Sequence, residues 1–308
     1  MPCFNHKVRK AGTKVPAYVA NSTLTLLQKG GVGEVLMVNS QGVYLLAEGR
    51  IIFLCDLSMG CVPSGIAISD FSETVSALSI KPGDHFSFEG LILVFDSLSL
   101  FLDPIDLKRP EINGERPKLE LVCKAASDLA AMQKTKGISM LVLPLVFGED
   151  REDLFALSPY HRAAYSWLSK LLTALVDDLP GEVREPVNHL LGLGIGLTPS
   201  ADDVILGMLY AFRMIKCKLL SVRAFATCVT DECDEKTNRI SAAYLKAIAD
   251  GEYFERIECV WRGLCGLEAL DITRLTALGS SSGSEMLLGI LCALYVCGYD
   301  CTGKEILK

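Results

Sequence analysis

Residues 34–55 read EVLMVNSQGVYLLAEGRIIFLC. Three runs rich in aliphatic and aromatic residues (34–38, 43–48 and 50–55) are separated by Asn39-Ser40-Gln41-Gly42 and Glu48-Gly49, which are turn material. The same spacing continues outward: residues 65–68, 85–88 and 91–95 fit further strands, with Lys81-Pro82-Gly83-Asp84 and Glu89-Gly90 as turns. Short antiparallel strands at this spacing predict a small barrel or sandwich.

From Asp103 to Lys118 the chain turns charged and rich in proline and glycine (Pro104, Pro110, Gly114, Pro117), which marks a domain boundary. Beyond it the period changes. Apolar positions recur every three or four residues over 119–133 and 160–175, predicting amphipathic helices. Residues 200–216, 240–249, 254–264 and 267–278 read as further helices, and a last one starts at Ser284. Residues 140–147 form a short apolar run that fits a strand or a buried loop. The expected fold class is α+β. A small antiparallel β-rich N-terminal domain (1–112) precedes a larger, mostly α-helical C-terminal domain (113–308).

Composition narrows the function. Half of the 308 residues are apolar and 22% are charged, the opposite of a disordered chain. A net charge of −7 argues against nucleic acid as the main partner, which needs clustered Lys and Arg, but not against a small anion at a local site. The most apolar stretch, 286–297, is well short of the ~20 residues that cross a bilayer. Residues 1–14 lack the apolar centre of a signal peptide. A cytoplasmic protein without a membrane partner is expected. Twelve cysteines are present, yet none forms a Cys-x-x-Cys pair and no histidine stands at zinc-ligand spacing from one. They read as small buried hydrophobes, with no metal centre.

Two stretches of the second domain look like copies of one device. Residues 192–203 read GLGIGLTPSADD and lead into an apolar run broken by Gly207; residues 279–285 read GSSSGSE and lead into another broken by Gly289. Superposed, Ser200 meets Ser282, Ala201 meets Gly283, Asp203 meets Glu285 and Gly207 meets Gly289. Each is a Gly/Ser-rich turn opening a buried helix with an acid in its first turn. Such helix starts expose unpaired N–H groups at the positive end of a dipole and bind anions. Thr198 suits an N-cap and Pro199 a first helical position. Gly207 and Gly289 fit a close helix crossing that would bring both N-termini together. Asp202 and Asp203 complicate a plain anion cradle. They would cap their own helix, bind a cation, or accept hydrogen bonds from substrate N–H groups. Helix capping alone is the plainer reading of the same residues. Arg239, in the helix start Thr237-Asn238-Arg239-Ile240-Ser241, is a second anion-binding candidate, and His189 a candidate general base weighed against a structural role.

At these residues the chain resembles the AllH-like family. GLTPS[A/G]DD before an apolar helix, a downstream Ser-Gly-x-acid copy, and the pattern Thr-x-x-x-Ser-x-x-x-Leu-x-x-Ala from Thr237 carry the likeness. It covers the C-terminal half; over the β region it is general only. The resemblance implies a third subunit of an oxamate carbamoyltransferase complex, which moves a carbamoyl group between an oxalurate- or oxamate-type amide and phosphate in allantoin or related nitrogen catabolism. It implies partners of the FdrA-like kind and other carbamoyltransferase subunits, a small anionic amide substrate, and phosphate. Carried over by position, it places catalytic acids at Asp202, Asp203 and Glu285. Substrate or anion binding falls on Gly194, Gly196, Thr198, Ser200, Ser282 and Gly283; Ser281, in the same hydroxyl run, and Arg239 are added as candidates from the residues themselves. The chain departs from the family pattern at Ala201 (glycine expected), Glu285 (aspartate) and Ser280 (often histidine), which leaves the carbamoylated compound open. No cofactor is expected; a cation bridging the acids would be magnesium, which accepts oxygen ligands alone. Two other function classes fit the same turns: a non-catalytic anion-binding or assembly subunit, and a metal-assisted amidohydrolase.

Overall fold

The computed structural model describes residues 12–96, 99–105, 115–132, 137–148 and 158–301. The chain forms two units, residues 1–109 and 110–308. The boundary expected at 112/113 lies outside the described residues.

The first unit is a closed eight-stranded barrel in the order β1-β5-β4-β3-β2-β6-β7-β8. Its strands are β1 (Gly12–Val19), β2 (Gly31–Val38), β3 (Gly42–Ala47), β4 (Arg50–Asp56), β5 (Gly65–Ile68), β6 (His85–Glu89), β7 (Ile92–Val94) and β8 (Ser99–Pro104). The 34–55 stretch gives the β2–β3–β4 meander, with Val43 opposite Val38 and Leu54 opposite Val43. Alternate residues (Val35, Val43, Leu45, Ile52, Leu54, Ile66, Phe86, Leu100) fill the interior, as period-two side-chain geometry requires. Two pairings depart from the antiparallel expectation. β4 pairs with β5, and β1 with β8, in parallel. Closure explains the second: a barrel leaves no unpaired edge, so the terminal strands must meet whatever their direction. Helices α1 (Asn21–Lys29) and α2 (Phe71–Leu78) connect strands and were not expected. Leu26, Leu27 and Phe71 from these helices join the barrel core.

The second unit is helical. α3 (Leu119–Ala131), α5 (Pro159–Val176), α9 (Arg239–Ala249) and α10 (Glu255–Leu264) fall where the three-to-four periodicity places them, and the long pair is α7 (Ser200–Ile215) and α12 (Ser282–Val296). Residues 140–147 are neither strand nor loop: a 3₁₀ turn (Ser139–Leu141) runs into α4 (Val142–Val146). Short apolar runs carry no readable period, and here helix won. The helix expected over 267–278 shrinks to α11 (Thr273–Thr276). α6 (Arg184–Leu190) and α8 (Leu220–Lys236) also form; α8 has six buried residues among charged ones, a diluted stripe. No described helix is long and apolar enough to cross a membrane.

Candidate functional site

The two glycine-broken helices cross at their glycines. A Cβ built on Gly207 would lie 2.0 Å from Met286 O, and one on Gly289 would lie 2.0 Å from Val204 O. The contacts are reciprocal, so the backbones of α7 and α12 touch, and their first turns come together. Thr198 Oγ1 meets Ser282 Oγ at 3.0 Å, joining the two turns directly. Asp203 and Glu285 both lie within 1% of full burial, near enough for the Glu285 charge to act on Asp203.

Hydroxyls and amides surround this acid pair. Glu285 Oε1 accepts from Ile138 N at 3.0 Å and Oε2 from Ser281 Oγ at 3.1 Å, while the Ser200 hydroxyl also stands beside it. Burial pushes the Glu285 carboxyl above its ordinary range, against the lowering pull of those donors. Asp203 is pushed well above its range by burial first and by Glu285 second; the Ser282 and Thr198 hydroxyls lower it in part. Both acids sit at helix N-termini, whose dipoles stabilise a carboxylate by up to about 2 kcal/mol. Desolvation outweighs that here. No basic side chain enters the balance for either acid among the described residues. Both carboxyls are therefore pushed towards their protonated form. Asp203 Oδ2 has no hydrogen-bond partner among the described residues, an uncommon state for a buried polar atom.

Several of the amides expected to form an anion cradle are bonded within the protein. Ala201 N donates to Leu193 O, and Asp202 N and Asp203 N to Pro199 O. Gly283 N donates to Leu278 O, and Ser284 N and Glu285 N to Ser281 O. These six amides are occupied by carbonyls of the turns or of the residue just before them, and the Thr198, Ser200 and Ser282 hydroxyls stand beside the acids as further donors. Thr198 is not the N-cap either: Pro199 holds that place without a side-chain bond, and Thr198 faces Ser282. Gly194 (φ +137°) lies so close that a Cβ would meet Ser200 N at 2.4 Å, which fits a loop folded back on its own helix start. At Gly196 (φ +108°) the space is open. Gly283 has no room for a side chain, with Leu275 O 1.7 Å from a built Cβ. Its counterpart Ala201 is helical and fully buried, so its methyl packs in the core.

Asp202 is turned to other work. Oδ1 accepts from Gly192 N at 2.8 Å, and Oδ2 accepts from Thr237 Oγ1 and, at 2.6 Å, from Ser241 Oγ. It ties the glycine loop to the start of α9, so it does not complete a three-carboxylate set with Asp203 and Glu285. Burial raises its pKa, and the three donors pull it back. Asp202→Ala leaves these donors without their acceptor and is expected to cost roughly 3 kcal/mol, measured by urea unfolding. Arg239 begins α9 as an exposed residue and shares no contact with the acid pair among the described residues; the cap there is Asn238, whose Oδ1 accepts from Ile240 N and Ser241 N. His189 stacks on Trp167 at 3.9 Å with 8° between the rings, and Lys170 covers the same indole at 4.1 Å. That is a surface stack remote from the acids in its contacts.

Three residues escaped sequence reasoning. The Tyr160 hydroxyl is buried beside Ser200 and within the field of Glu285 and Asp203; burial is the main cause of its raised pKa. His161 bridges Ser158 Oγ (2.7 Å) and Gly137 O (2.9 Å). Gly137 (φ +78°) lies against Glu285, where a Cβ would stand 2.1 Å from Oε1. Ser158-Pro159 does signal a helix start, and Ser158 does cap α5, but nothing local ties Tyr160 to acids 43 and 125 residues on.

The family model for oxamate carbamoyltransferase subunit AllH matches residues 190–294, from the glycine loop to near the end of α12. No solved structure matches the chain. The matched segment contains both turns, both acids and the crossing glycines, and over it the chain is similar to the AllH family.

Proposed function

We propose that the protein is a subunit of an oxamate carbamoyltransferase-type complex whose acid pair grips the carbamoyl end of a small ureido or amide substrate of the oxalurate type. The observation that carries this reading is the buried Asp203–Glu285 pair, ringed by hydroxyls and with Asp203 Oδ2 unpartnered. A carbamoyl group presents a carbonyl oxygen and N–H donors. The protonated acid of the pair donates to that oxygen, and the ionised one accepts from an N–H. Ser200, Ser282 and Thr198 supply hydroxyls to an oxyanion that develops there, the kind of preorganised donor set that favours acyl-group transfer. Phosphate, a full anion, is poorly served by two acids without a base. Its binding is assigned to FdrA-like or other partner subunits, and this chain orients the amide.

A scaffold reading has its own observation: the tip of the glycine loop carries Ile195, 94% exposed, an apolar side chain suited to a partner surface. One reconstitution separates the two. Phosphate-dependent cleavage of oxalurate is measured with the partner subunits alone, with this chain, and with an Ile195→Asp variant. Dependence on the chain is expected, and full activity of the partners alone would sink the proposal. Loss of assembly in the Ile195 variant, with activity intact in acid-pair variants that assemble, would favour the scaffold.

A further inference from the structure

Cys123, on α3, and Cys301, the last described residue beyond α12, lie with their sulfurs 2.7 Å apart although 178 positions separate them in sequence. That separation is roughly 0.7 Å beyond a covalent S–S bond of ~2.05 Å, and closer than unbonded sulfurs pack. Both thiols are partly exposed, so a small oxidant can reach them. The contrast with cysteines such as Cys265 and Cys292 is one of access, since both of those are buried. These are inert hydrophobes. Cys123 and Cys301 are a vicinal dithiol formed by the fold.

We propose that Cys123 and Cys301 are a reversible disulfide site that clamps α3 to the C-terminal end of α12. α3 packs against α12. The stretch after α3 reaches the start of α12 through Ile138 N and Glu285 Oε1, and the two cysteines meet at the opposite end. The disulfide would therefore fix both ends of an antiparallel pair that frames the acid site. A low-molecular-weight disulfide, such as glutathione disulfide, supplies the oxidising equivalents. Cys123 as thiolate attacks one glutathione sulfur, forming a mixed disulfide and releasing glutathione thiolate, which takes the proton Cys123 lost. Cys301 then attacks the Cys123 sulfur and expels the second glutathione, which takes the Cys301 proton. Two protein thiols are oxidised and one glutathione disulfide is reduced to two thiols.

The test treats the reduced full chain with glutathione disulfide, quenches in acid, alkylates under denaturing conditions and maps the peptides. A cross-linked peptide joining Cys123 to Cys301 is expected, with the other thiols alkylated. Tm is expected to rise by about 5–15 °C, as closing a long loop predicts, and to fall back with dithiothreitol. Cys301→Ser is expected to leave a glutathione adduct on Cys123 and no Tm rise. Free alkylation of both cysteines after prolonged exposure, or indiscriminate pairing with other thiols, would overturn the site. A disulfide without a Tm change would overturn the clamp. Neither result depends on the carbamoyl reading, since no substrate is involved.

Discussion

Alanine at Gly207 or Gly289 is expected to destabilise the protein by roughly 3 kcal/mol each, the upper range for overpacking a rigid site. A methyl group at either position would stand 2.0 Å from a carbonyl oxygen of the facing helix. The obstacle is backbone on both sides, so no rotamer change relieves it, and α7 and α12 must move apart. The gain in helix propensity, up to about 1 kcal/mol for glycine to alanine, offsets only part of that. For the helical unit this corresponds to a fall in Tm of roughly 6–12 °C. The double variant is expected to lose less than the sum, because helices already separated by one methyl accommodate the other. Thermal unfolding monitored by circular dichroism tests the cost, and a Tm within about 2 °C of wild type for both single variants would contradict the close crossing. The same separation should move Thr198 from Ser282 and spread the acids, so carbamoyl transfer should fall even where the variant folds.

Asp203→Asn and Glu285→Gln are expected to reduce phosphate-dependent cleavage of oxalurate by the reconstituted complex roughly 10²- to 10³-fold, the usual loss on removing one group of a preorganised site. Stability should move the other way. Burial raises both carboxyl pKa values in the folded state, so the native protein binds these protons more tightly than the unfolded chain. Their contribution is full below the ordinary carboxylate range and is lost as pH rises through the raised native values. Wild type is thus expected to lose stability over that window relative to Asp203→Asn and Glu285→Gln, whose amides do not ionise. Urea titrations from acid to neutral pH, wild type against each variant, measure this directly. Parallel stability profiles would show that the acids are not the buried, uncompensated pair described, and unchanged cleavage in both variants would end the residue assignment.

Legibility differed between the two units. In the barrel, the 34–55 meander was readable because alternation and turn residues are local. Strands β1 and β8 were not, since their pairing depends on closure between residues such as Thr13 and Leu100, far apart in sequence. In the helical unit, the matched turns and their glycines were visible as repeated residue types at repeated spacing. Which acid faces which partner was not. Asp202 and Asp203 are neighbours in sequence, and one helical step of about 100° sends Asp202 to Gly192, Thr237 and Ser241 and Asp203 to Glu285.

The sequence by itself determined the α+β class, the β-strand meander, the two glycine-broken helices and the pairing of Asp203 with Glu285 by position. Those follow from local periodicity and from a duplicated pattern. Tertiary structure alone decided that Asp202 anchors a loop, that Tyr160 and Gly137 border the acids, and that Cys123 meets Cys301. Each of these depends on which backbone or side chain arrives from a distant segment. In a packed interior that arrival sets hydrogen-bond supply and desolvation, and these fix what a carboxyl or a thiol can do.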